Sequence, residues 1–71
     1  MKKNIKEFVV KENQAFRIRV ESWECAKPEG LFAVNFHNDC FDKDGNVEMT
    51  STYNFFLSKD DMKKLAEGLA Q

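Results

Sequence analysis

The stretch Phe16-Arg17-Ile18-Arg19-Val20-Glu21 alternates apolar and charged side chains without a break. A period of two is the signature of a half-buried strand, because successive side chains of an extended chain point to opposite faces. Phe16, Ile18 and Val20 then form the inner face. Phe32-Ala33-Val34-Asn35-Phe36-His37 repeats the pattern, and Met49-Thr50-Ser51-Thr52-Tyr53-Asn54-Phe55-Phe56-Leu57 does so a third time with β-branched and aromatic enrichment. A shorter run, Glu7-Phe8-Val9-Val10, has the length and the flanking charges of an edge strand.

Turn-forming residues lie between these runs: Lys11-Glu12-Asn13-Gln14, Ala26-Lys27-Pro28-Glu29-Gly30 and Asp42-Lys43-Asp44-Gly45-Asn46. Connections this short make neighbouring strands antiparallel hairpins. After the last strand, Ser58-Lys59-Asp60-Asp61 supplies an N-cap serine, first-turn carboxylates and an acid three residues on, the pattern of a capping box. Leu57 before the cap and Met62 form a hydrophobic staple. Met62, Leu65, Ala66 and Leu69 recur at i, i+3, i+4 and i+7, giving one apolar stripe, with Lys59, Lys63, Lys64 and Glu67 facing water. The predicted fold is therefore α+β: an antiparallel four-stranded β-meander followed by one C-terminal amphipathic helix packed on the sheet. It is a single domain over residues 1–71, with residues 1–4 a flexible start.

Keeping all apolar sets on one face predicts a register with Ile18 opposite Phe36, Val20 opposite Val34, Phe36 opposite Tyr53 and Val34 opposite Phe55. The outer face then carries Arg17, Arg19, Glu21 and Trp23 on one strand, Asn35, His37 and Asp39 on the next, and Thr50, Thr52, Asn54 and Phe56 on the third. Cys25 and Cys40 fall at opposite ends of one hairpin, too far apart to bridge, with Cys40 a small hydrophobe on the inner face.

Seventy-one residues make one domain at most, and a core this small contributes only about 3–5 kcal/mol, so a second subunit is an expectation from size alone. The composition is that of a globular chain, 42% hydrophobic and 32% charged, with a net charge of −1 that provides no overall basic field. No apolar run is long enough to span a membrane and the N-terminus lacks the pattern of a secretory signal, which predicts a cytoplasmic protein with free thiols. Asp42-Lys43-Asp44-Gly45 superficially matches a calcium loop, but aligning its glycine puts Cys40 and Ser51 at the terminal ligand positions, where carboxylates are required. One His and two Cys have no zinc spacing. His37 and Cys40 lie on opposite faces, and the acidic pairs are used by the turn and the helix cap. No enzyme activity, cofactor or metal is predicted.

The outer face remains. Arg17, Arg19 and His37 with Trp23 and Lys27 can bind single-stranded nucleic acid, a ring stacking bases and cations pairing phosphates. Glu21 and Asp39 dilute that charge. The alternative is a protein-interaction or regulatory accessory module of the small phage or bacterial type, with Trp23, Leu31 and Phe56 as its contact patch.

Trp23-Glu24-Cys25-Ala26-Lys27-Pro28, Phe32-Ala33-Val34-Asn35-Phe36, Asp42-Lys43-Asp44-Gly45 and Leu57-Ser58-Lys59-Asp60-Asp61, in that order, resemble the PC4-like transcriptional-coactivator and bacterial single-stranded-DNA-binding domains. The resemblance covers the chain from about residue 16. It implies a curved four-stranded antiparallel sheet with one helix, a homodimer formed mainly through the C-terminal helix, and single-stranded nucleic acid bound on strands and loops. The chain departs from that family at His37, where the family tends to carry arginine, and at Tyr53-Asn54-Phe55, where it carries Gly-Lys-Gly. Both departures remove cations that would contact a nucleic-acid backbone.

Overall fold

The structure is a computed structural model that describes residues 2–71. Strands β1 (Lys3–Glu12), β2 (Phe16–Glu24), β3 (Phe32–Phe41) and β4 (Val47–Leu57) precede a helix, α1 (Lys59–Leu69). The strands form one sheet in chain order, each neighbour antiparallel, so the fold is the α+β meander closed by a helix.

Each connection is held by the residue whose chemistry marks it as a turn. Asn13 accepts hydrogen bonds on Oδ1 from the N–H groups of Ala15 (2.8 Å) and Phe16 (2.9 Å). Asp42 accepts on Oδ1 from the N–H groups of Asp44 (2.9 Å) and Asn46 (3.0 Å), an Asx turn that commits its carboxylate to the backbone. Gly45 completes that turn at φ +84°, a left-handed conformation that side chains resist. The Ala26–Gly30 loop is closed by the Cys25 N–H donating to the Leu31 carbonyl at 2.9 Å.

The inner and outer faces have the predicted parity, but two features of the strands differ. The β2–β3 register is displaced by two residues: Val20 lies opposite Phe36 and Ser22 opposite Val34, instead of Ile18 and Val20. Alternation fixes a register only to multiples of two. The particular one is set because β2 continues through Trp23 and Glu24, which pair with Ala33 and Phe32 and shorten the loop. The β3–β4 pairs Phe36–Tyr53 and Val34–Phe55 are as expected.

The second difference is β1, which runs for ten residues in place of four and begins at Lys3, inside the expected flexible start; Met1 lies outside the described residues. Backbone pairing with β2 extends from Lys3 to Glu12 irrespective of side-chain type, interrupted by bulges between Lys3 and Lys6 and between Val9 and Lys11. Bulges of this kind discourage further strand addition at an edge.

Ser58 caps α1 reciprocally: its hydroxyl accepts from the Asp61 N–H at 3.1 Å and the Asp61 carboxylate accepts from the Ser58 N–H at 3.0 Å. The bond from the Ser58 N–H, with a smaller contribution from the Ser58 hydroxyl, holds the Asp61 carboxyl below its ordinary pKa. The helix lies over one end of the inner face. Met62 lines a cleft with Phe8, Val20 and Val34, and Leu65 borders another with Phe36, Phe55 and Leu57. Cover is partial: no helix residue is buried, and the buried apolar residues among those described are Ala33 and Val34, both in β3. Both cysteines are free and half-buried, Cys40 on the inner face between Phe16 and Met49.

Candidate functional site

Because β2, β3 and β4 pair in continuous register, the outer face resolves into four cross-strand rows: Arg17–Asp39–Thr50, Arg19–His37–Thr52, Glu21–Asn35–Asn54 and Trp23–Ala33–Phe56. On the free side of β2, the edge strand β1 sets Glu12 beside Arg17, Val9 beside Arg19 and Glu7 beside Glu21.

Asp39 is the hub of the first two rows. It is 1% exposed, and its carboxylate accepts hydrogen bonds from Nε of Arg17 (2.9 Å), Nε of Arg19 (2.8 Å) and the Thr50 hydroxyl (2.7 Å). A second Arg17 nitrogen lies at 2.9 Å from Oδ2. The Arg19 hydrogen bond, then those from Thr50 and Arg17, hold the Asp39 carboxyl far below the ordinary carboxylate range despite desolvation. The same hydrogen bond raises the pKa of Arg19.

Each arginine also has a second acid at longer range, Glu12 at 3.6 Å from Arg17 and Glu7 at 3.9 Å from Arg19. Two arginines therefore share this face with Glu7, Glu12, Glu21 and Asp39, and each guanidinium is ion-paired to Asp39 while keeping further N–H donors. A phosphate at this position would compete with a desolvated carboxylate that is already bonded from several sides.

His37 is held in the middle of the face, its Nδ1 sharing a hydrogen bond of 2.9 Å with the Thr52 hydroxyl. Its Nε2 is buried without a hydrogen-bond partner and stands 3.6 Å from Glu21 Oε1, outside normal hydrogen-bond range. The Asn54 amide donates to the Asn35 side-chain oxygen and closes the third row.

The fourth row is different in kind. Ala33 is 2% exposed between two large rings, Trp23 on one side and Phe56 on the other. Phe56 itself is 62% exposed. The Lys2 ammonium sits 3.8 Å from the Trp23 ring centroid, a cation–π contact, and Lys27 lines the same shallow depression beside Trp23.

The five predicted site residues thus divide into two groups. Arg17, Arg19 and His37 lie together in the ion-paired and hydrogen-bonded rows, and Trp23 and Lys27 lie together at the far end. Leu31 is half-buried just before β3, where its carbonyl closes the loop. Sequence parity places Asp39 on this face but not its role as common partner of both arginines, which depends on the register. The Lys2–Trp23 contact joins residues far apart in the chain and leaves no signal of spacing or period in the sequence. No protein family matches the sequence, and no curated protein or solved structure matches the chain.

Proposed function

We propose that this chain is a small non-enzymatic interaction module that engages a protein segment at the Trp23–Phe56 end of its outer sheet face. The observation carrying this reading is the exposure of Phe56 in the same cross-strand row as Trp23, across a buried alanine, where most of a large ring stands in water. Such rings supply contact area at low entropic cost and are enriched in protein interfaces. Lys2 and Lys27 at the rim favour a segment that presents an acidic residue next to an apolar one.

The same end supports single-stranded nucleic acid as a second reading. Two rings flanked by two lysines offer base stacking and phosphate contact, whereas Arg17 and Arg19 are already paired with Asp39. Trp23 is the chain's one tryptophan, so its fluorescence reports either ligand. Peptides selected from a random library against the full chain should quench or shift that emission, and Phe56→Ala should weaken them roughly tenfold or more. An oligonucleotide titrated at low salt should behave alike only if the second reading holds, with Lys27→Ala reducing the salt slope. If no peptide depends on Phe56 and no oligonucleotide alters the emission, both readings are lost.

A further inference from the structure

The other face of the sheet is unfinished. Along the inner face and on the helix, Phe8 (55%), Met49 (58%), Tyr53 (58%), Phe55 (50%), Leu65 (44%) and Leu69 (79%) are exposed, although the sequence pattern assigns Tyr53, Phe55, Leu65 and Leu69 to the core and the register puts Phe8 and Met49 on the same face. The molecule measures 43 × 35 × 16 Å, the thickness of a sheet with a helix over only part of it. A domain normally buries each apolar face against another layer. Here the second layer is mostly missing.

We propose that a second copy of this chain supplies it, the two sheets packing inner face to inner face around a two-fold axis, with the stripes of both α1 helices at the rim. A stable interface takes roughly 800 Å² from each partner, and six side chains about half exposed, at roughly 150–250 Å² for each aromatic one, provide most of that area. The chain's formal charge of −1 sets little repulsion between copies. The Leu65 cleft carries both signs, Asp61 and Lys64, so a two-fold operation can set opposite charges together without forcing like ones to meet.

The missing cover also belongs to folding itself, since Ala33 and Val34 are the buried apolar residues among those described. A partner required for folding must be present wherever the chain is made, and a second copy meets that condition. This interface lies on the side opposite Phe56, so the dimer holds two outer faces pointing away from each other and leaves both aromatic ends free. A tethered pair of acceptor segments would then bind with avidity.

Light scattering on the full chain at ~100 µM tests the proposal, with twice the chain mass expected. Tyr53→Glu should weaken the dimer by about 100-fold or more, while Phe56→Glu on the outer face leaves the mass unchanged. A wild-type mass of one chain overturns the proposal. So does a dimer that Tyr53→Glu leaves intact, which would place the contact elsewhere, at a strand edge or through α1 alone. Should Tyr53→Glu fail to fold, mixed-isotope NMR of the wild type decides: contacts between the Phe8 or Tyr53 rings of labelled and unlabelled copies support the interface, and intermolecular contacts confined to other residues overturn it.

Discussion

Asp39 carries more of this structure than any other polar residue. It is desolvated, and its stability comes from the two guanidinium groups and the hydroxyl that converge on it. Asp39→Asn keeps the shape but leaves two arginines facing a neutral amide, and removing one partner of a buried ionic group is costly. The variant is expected to melt roughly 10 °C or more below the wild type in a thermal scan at neutral pH. The pH dependence has a definite sign. A carboxyl whose folded pKa is depressed contributes stability that is full above its unfolded value and is lost as protons bind the unfolded state first. Wild-type Tm should therefore decline from about pH 5 downward, still falling at the most acidic values reached, and more steeply than that of Asp39→Asn. Equal slopes would show that other carboxylates govern acid unfolding. At this scale the sequence placed Arg17, Arg19 and Asp39 on one face. It could not show that the acid sits directly opposite Arg17, because a two-residue shift of register preserves every face while changing every pair.

Among the elements, α1 was the most legible, since its start is written in a local motif that needs no tertiary partner. Ser58 and Asp61 make both bonds of the capping box. Ser58→Ala should cost about 1 kcal/mol, typical of a lost N-cap. With no helix residue buried, much of that loss should appear as faster amide exchange in the first turn of α1. Unchanged exchange there would mean that packing on the sheet, not the cap, fixes the helix start. β1 was the least legible element. Its ten residues include Lys3, Lys6, Glu7, Lys11 and Glu12, which break any apolar alternation, yet backbone pairing with β2, interrupted at two bulges, holds the strand. Both faces of β1 are exposed in the single chain, and its apolar residues, Ile5, Phe8, Val9 and Val10, follow no strict alternation that would mark the whole strand.

For the whole molecule, the decisive property is a sheet with one face finished by hydrogen bonds and ion pairs and the other left largely apolar. If dimerisation completes that second face, folding and association are one equilibrium, and calorimetry should show Tm rising by roughly 3–5 °C for each tenfold increase in protein concentration. A Tm independent of concentration would mean that the single chain is self-sufficient. The sequence by itself determined the number and order of the elements, the two faces of the sheet, the turns and the helix cap, since period, turn chemistry and capping act over a few neighbouring residues. Only the tertiary structure decided which outer-face charges neutralise one another, which rings remain in water, and that α1 covers one end of the sheet and leaves the rest open. Those outcomes depend on register and on the relative placement of elements, which are set by backbone pairing between residues far apart in the chain and leave no periodic trace within any one segment.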